Sequence, residues 1–133
     1  SINLLQDDLK ENKKKFINLN VSAPFHCSLM KPAADTMKDK IESIDFKKPN
    51  IDIVCNVTSK PENNPKNIKK LLVDQICSTV RWRESIINMS NENVSDFIEI
   101  GPGKVLSSMV KRTVKNINTF SINSIDDMKK VVQ

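Results

Sequence analysis

The repeated alternation of short strand-like runs with amphipathic helical runs constrains the fold of this chain most strongly. After a first helical run at residues 2–14, a strand-like run and a helical run follow one another four times. The strand-like runs are residues 16–21, 51–57, 97–100 and 117–122. The helical runs are residues 30–44, 68–80 (continued or restarted at 81–89), 104–114 and a last one from Ile125. This order predicts an α/β fold with helices packed on a parallel sheet, and 133 residues suffice for one domain or part of one.

His26, the only histidine, lies where the first strand-like run gives way to its helix. The stretch 21–32 reads V-S-A-P-F-H-C-S-L-M-K-P, in which Pro24 favours an extended residue before it and Pro32 suits the first turn of a helix. In parallel α/β sheets, this edge is where ligands and catalytic groups collect. A lone loop histidine is commonly a solvated surface residue. The alternative is a general base, because imidazole exchanges a proton readily near neutral pH.

Gln75 is a polar residue on the apolar stripe of the helical run 68–80, four residues after Leu71 and three after Leu72. An unpaired buried amide costs about 1–3 kcal/mol, so the side chain needs a partner if it is buried. In one interpretation it lies at the edge of the stripe and reaches water. In the other it accepts a hydrogen bond, and a ring N–H of His26 is the obvious donor.

The net charge of +5 is concentrated towards the C-terminal end. Residues 101–125 contain no acidic residue and carry four cations: Lys104, Lys111, Arg112 and Lys115. Such a run is commonly a solvated helix face, and the alternative is a docking surface for an acidic partner. Nucleic acid is a weaker alternative, since the protein has no tyrosine and no binding motif.

The sequence Gly101-Pro102-Gly103 forms a permissive turn between the run 97–100 and the helical run 104–114. A helix N-terminus after glycines can bind an anion. G-P-G is neither a Walker nor a dinucleotide-binding loop. A structural strand–turn–helix corner is therefore favoured over an anion site.

Composition excludes several classes of protein. Three distant cysteines do not indicate a disulfide framework and fit a reducing, cytoplasmic compartment. One histidine and no C-x-x-C pair argue against zinc, and no apolar run approaches the ~18 residues of a membrane span. No signal peptide is expected, since the first residues are acidic and amphipathic. The first residue is Ser, which suggests processing or a piece of a longer protein.

Five stretches together resemble the malonyl-CoA:acyl-carrier-protein transacylase family of fatty-acid synthesis. They are V-S-A-P-F-H-C-S-L-M-K-P-A-A-D at 21–35, V-C-N-V at 54–57, V-D-Q-I at 73–76, W-x-x-S-I at 82–86 and I-E-I-G-P-G-K-V-L at 98–106. They occur in the family's order and cover nearly the whole chain. The resemblance is to the C-terminal part of such an enzyme, roughly its second half.

The resemblance implies the C-terminal part of an α/β-hydrolase-like acyltransferase core with a parallel sheet. Residues 1–21 would be the last helix and strand of an inserted ferredoxin-like subdomain, and residues 22–133 the end of the core. The reaction would move a malonyl group from coenzyme A to the acyl carrier protein through an acyl-serine. The implied partners are malonyl-CoA as a coenzyme A thioester substrate, the acyl carrier protein and the N-terminal part of the same enzyme. No bound cofactor, metal, nucleic acid or membrane is implied.

By the same resemblance, His26 matches the catalytic histidine, a general base and acid. Gln75 matches the glutamine whose backbone carbonyl orients that histidine. The chain departs from the family pattern because it contains no G-x-S-x-G elbow, and therefore no nucleophile. A smaller departure is Thr79, where relatives commonly carry proline. We therefore expect this chain to be inactive alone. The alternative hypothesis is a non-catalytic carrier-docking or regulatory module that uses the basic segment 104–115.

Overall fold

A computed structural model describes residues 2–17, 21 and 23–131 as a mixture of helices and short strands. The helices are α1 (Ile2–Glu11), α2 (Lys31–Ser43), α3 (Pro65–Asp74), α4 (Trp82–Asn91), α5 (Val105–Thr113) and α6 (Ile125–Val131), with a 3-10 helix at Ser28–Met30. The strands are β1 (Ile53–Val54), β2 (Pro61–Glu62), β3 (Asp96–Ile100) and β4 (Asn118–Ile122).

Every predicted helical run contains a helix, and a side-chain cap sets the start of two of them. Helix α3 begins at Pro65, because Asn64 accepts a hydrogen bond from the backbone N–H of Lys66 at 2.9 Å. Helix α6 follows Ser124, whose hydroxyl accepts the backbone N–H of Asp127 at 3.2 Å. The run 68–80 does not continue as one helix, since α3 ends at Asp74 and α4 starts only at Trp82.

Strands β3 and β4 form a parallel pair, in register from Asp96 opposite Asn118 to Ile100 opposite Ile122. Helix α5 connects them and packs against both, as the alternation predicts for a β–α–β unit. In the described part of the chain this pair is the parallel portion of the predicted sheet.

Strand β1 does not join that parallel pair, so the prediction of one parallel sheet that includes residues 51–57 is wrong for the described residues. It pairs antiparallel with β2, Ile53 opposite Glu62. The cause is a tight turn in which the Ser59 N–H donates to the Cys55 carbonyl at 2.8 Å. So short a connection permits only antiparallel neighbours, and β-branched composition indicates a strand without naming its partner.

The predicted strand 16–21 falls largely outside the described residues. Phe16 and Ile17 are described and lie in no strand, while residues 18–20 are not described. Helix α1 precedes them and contains no buried residue. The assignment of residues 1–21 to a ferredoxin-like subdomain stays a prediction.

The small core lies between helix pairs. Its buried apolar side chains are Ala34 and Ile41 of α2, Ile68 of α3, Ile86 of α4 and Val110 of α5. The accessible surface is 10662 Å², whereas a self-contained protein of 15.1 kDa exposes roughly 7,100 Å². Much apolar surface is therefore uncovered, including Ile98 and Ile100 on β3. None of the helices in the described residues is long and apolar enough to span a membrane.

Candidate active site

His26 lies in a tight, exposed loop directly before the 3-10 helix. Its φ of +58° is left-handed, a conformation that histidine adopts more readily than most residues. The loop is held by hydrogen bonds from the Phe25 N–H to the Ala23 carbonyl at 2.9 Å and from the Cys27 thiol to the Pro24 carbonyl at 3.1 Å. The backbone therefore fixes the position of a ring that remains open on its outer side.

One ring nitrogen of His26 is anchored to the end of α3. Nδ1 lies 2.8 Å from the backbone carbonyl oxygen of Gln75. A carbonyl oxygen only accepts hydrogen bonds, so Nδ1 carries the hydrogen and donates it. In the neutral ring this leaves the lone pair on Nε2, the nitrogen on the far side of the ring. The geometry is that of an imidazole oriented to accept a proton at Nε2.

The Gln75 carbonyl is available because α3 ends there. Carbonyls in the last turn of a helix lack an intrahelical partner and carry the partial negative charge of the helix dipole. The N–H in the same peptide plane, that of Ile76, donates to the Val73 carbonyl at 3.1 Å. In a planar trans peptide the C=O points opposite to the N–H. The turn therefore directs the Gln75 oxygen away from α3 and towards His26.

The Gln75 side chain has a different partner from its backbone. Its Oε1 accepts a hydrogen bond from Nδ2 of Asn56 at 3.0 Å, in a partly buried position. The interpretation that this amide has a specific donor holds, but the donor is Asn56 rather than the ring of His26. Sequence reasoning missed Asn56. It stands in the V-C-N-V stretch, and no spacing rule connects a residue after β1 with the end of α3.

The Gly101-Pro102-Gly103 turn is a structural corner. Glu99 on β3 accepts the backbone N–H of Leu106 at 3.1 Å and of Ser107 at 2.8 Å. The bonds from Ser107, with that from Leu106, hold the pKa of the Glu99 carboxyl below its usual value of 4.5. The start of α5 is thus occupied by a carboxylate of the chain itself, and this favours the corner over an anion site.

The four cations of the basic segment are all exposed: Lys104, Lys111, Arg112 and Lys115. The ion pairs of the described residues lie elsewhere, and none involves these four side chains. Their positive charge is therefore uncompensated on the surface. Within the described residues, no group of three or more His, Cys, Asp or Glu side chains could hold a metal ion.

A loop histidine with one nitrogen anchored and the other open is the arrangement used by α/β enzymes that activate a hydroxyl nucleophile. No family model matches the chain. Among curated proteins, it is 38% identical over 133 residues to the malonyl CoA-acyl carrier protein transacylase of Bacillus subtilis, covering 99% of this chain and 42% of that protein.

Solved structures agree. An acyl carrier protein S-malonyltransferase from Vibrio cholerae is 40% identical with a TM-score of 0.82, over 92% of this chain and 40% of that one. A malonyl-transacylase in complex with a type II PKS acyl-carrier protein is 35% identical with a TM-score of 0.85, over 97% and 42%. The chain is homologous to the C-terminal part of the malonyl CoA-acyl carrier protein transacylases, which confirms the resemblance of its motifs. It spans about two fifths of the length of the relatives it matches.

Proposed function

We propose that this chain supplies the general base of a malonyl-CoA:acyl-carrier-protein transacylase and that another part of the enzyme supplies the nucleophile. Nε2 of His26 takes the proton of a serine hydroxyl as the serine oxygen attacks the thioester carbonyl of malonyl-CoA. The C–S bond then breaks, and the coenzyme A sulfur leaves as a thiol with the proton from Nε2. In the second half, Nε2 takes the proton of the carrier's phosphopantetheine thiol, which attacks the acyl-serine. The ester C–O bond then breaks, and the serine oxygen leaves with the proton from Nε2.

The observation that carries this proposal is the 2.8 Å contact between His26 Nδ1 and the Gln75 carbonyl. A hydrogen on Nδ1 leaves the lone pair on Nε2, and this supports a role of Nε2 as the proton acceptor. When Nε2 takes a proton, the positive ring faces a carbonyl at the negative end of α3. A carbonyl can thus replace the carboxylate that holds histidine in more familiar triads.

The first test compares His26→Asn with His26→Ala in the full-length protein. Asparagine tolerates the left-handed φ and its Nδ2 can donate to the Gln75 carbonyl, but it cannot act as a base. We expect both variants to lose 10²–10⁴-fold in malonyl transfer, the usual contribution of general-base catalysis. His26→Asn should keep the thermal stability of the wild type more closely than His26→Ala.

A matched control is Arg83→Ala, an exposed change on α4 that should leave the transfer rate unchanged. Near-wild-type transfer by His26→Asn would exclude His26 as the base.

A second and simpler observation tests whether another part of the enzyme supplies the nucleophile. The reading frame that encodes this chain should also encode a G-x-S-x-G, and the chain without that part should form no malonyl-enzyme.

A second candidate function is docking of the acyl carrier protein on the basic segment, with or without catalysis. The uncompensated charge of Lys104, Lys111, Arg112 and Lys115 favours it, since an acidic partner would be attracted there. Lys111→Glu should weaken carrier binding, and the wild-type affinity should fall with added salt. Lys48→Glu, the same charge change at an exposed position outside this segment, is the control. Equal losses in both variants would indicate a general charge effect.

We also propose the division implied by the resemblance, in which residues 1–21 end an inserted ferredoxin-like subdomain and residues 22–133 end the acyltransferase core. The absence of any buried residue in α1 supports it, because such a helix would be covered by strands from elsewhere. Limited proteolysis of the full-length protein should then cut near residue 21 before it cuts within 22–133.

A further inference from the structure

We infer that Asn56 is a positioning residue for His26, acting through the amide side chain of Gln75; this inference rests on the proposed role of His26. Asn56 follows β1 in the turn that leads to β2. Its Nδ2 donates to Gln75 Oε1 at 3.0 Å, and the Gln75 carbonyl accepts from His26 Nδ1 at 2.8 Å. Three separate segments are thereby joined in one chain of hydrogen bonds.

Asn56 is itself held from its backbone side. Its carbonyl accepts the N–H of Arg81, the residue before α4, at 2.9 Å. The segment 75–81 is therefore attached to Asn56 at both ends, by the Gln75 side chain at its start and by the Arg81 backbone at its close. Substitutions of the Asn56 side chain leave the second attachment intact, so their effects report on the link to Gln75.

The link matters because the turn at the end of α3 fixes only the direction of the Gln75 carbonyl. The hydrogen bond from the Ile76 N–H to the Val73 carbonyl sets that direction relative to α3. Packing of α2 on α3 brings the His26 loop, 49 residues away in sequence, near the end of α3, but the turn itself does not set their final distance. The Asn56 amide holds the end of α3 against the β1–β2 turn. A shift of a few tenths of an ångström would weaken the bond that selects the Nδ1–H form of the ring.

The experiment is a double-mutant cycle in the full-length protein on Asn56→Asp and Gln75→Glu. In each single variant one amide and one carboxylate face each other. In Gln75→Glu the Asn56 amide donates to the carboxylate as it does to Oε1, and in Asn56→Asp the Gln75 amide donates after a side-chain flip. Both singles should therefore stay within about threefold of wild-type kcat. In the double variant two carboxylates meet without a donor, and kcat should fall at least roughly tenfold below the product of the singles, with KM for malonyl-CoA nearly unchanged.

A spectroscopic reading accompanies the kinetics. With ¹⁵N-labelled histidine, the signals of His26 are assigned by their loss in His26→Asn. The wild type and both single variants should show the Nδ1–H tautomer, and the double variant should show a larger share of Nε2–H. If the double variant unfolds, Asn56→Ser replaces it, because the serine side chain is too short to reach Gln75. This variant should show the same fall in kcat and the same larger share of Nε2–H.

Asn88→Leu is the matched control. In the wild type, Asn88 Nδ2 donates to the Ser59 carbonyl at 2.8 Å, so the substitution removes another partly buried amide bond from the same turn without touching Gln75. It should reduce thermal stability but leave the tautomer ratio and kcat unchanged. Additive kinetics in the cycle with an unchanged tautomer ratio would overturn the role of Asn56. If His26→Asn is itself active, the proposed function fails instead.

Discussion

Truncation of Ile86 tests the described packing most directly. Ile86 on α4 is the largest fully buried side chain of the described residues, with 0% of its surface exposed, and α4 packs against α5. Ile86→Ala removes three carbon groups, worth about 0.8 kcal/mol each in transfer from water, or about 2.4 kcal/mol together. The cavity left behind adds to this, so we expect the full-length protein to lose about 3–5 kcal/mol of unfolding free energy. Ile86→Val removes one carbon and should cost about 1 kcal/mol.

The assay is urea unfolding followed by tryptophan fluorescence, since Trp82 is on the same helix. Asn91→Ala, an exposed change at the end of α4, is the control and should lie within about 0.5 kcal/mol of the wild type. A loss below 1 kcal/mol for Ile86→Ala would refute the complete burial of Ile86. A graded series, with valine between isoleucine and alanine, would support it.

Three further predictions concern residues outside the candidate active site. Because backbone bonds lower the pKa of Glu99 below 4.5, its stabilisation is complete above about pH 4.5 and is lost as pH falls through the lowered value. Glu99→Gln should therefore flatten the decline of unfolding free energy measured between about pH 6 and 3. An unchanged slope would contradict a stabilising role of the Glu99 carboxylate at the start of α5. Ser59 is buried with φ +55°, so Ser59→Gly should raise the melting temperature by relieving about 1 kcal/mol of left-handed strain; a lower melting temperature would show that its hydroxyl matters more. Burial raises the pKa of the Cys55 thiol, with the nearby Glu62 adding to the effect, so iodoacetamide should alkylate it more slowly at pH 8 than it alkylates free cysteine. Peptide mass mapping measures that rate, and alkylation as fast as free cysteine would contradict the burial.

The sequence was sufficient wherever the relevant interactions are local. The period of apolar residues predicts the helices, because a helix is built from contacts three and four residues apart. The exact ends were less predictable, since α3 begins at Pro65 after the Asn64 cap and ends at Asp74, whereas the predicted run was 68–80. The motif around His26 and the order of the five stretches were likewise enough for the family resemblance that the relatives confirm.

Only the tertiary structure decided which strands and which hydrogen-bonding groups pair across long sequence distances. The run 51–57 has strand composition, yet a turn closed at Ser59 returns β1 to β2 rather than to the parallel pair. Gln75 was recognisable as a polar residue needing a partner. That its backbone meets His26 while its side chain meets Asn56 follows from where α3 ends relative to two distant turns. Hydrogen bonds join atoms by position in space, and residue type alone does not record that position.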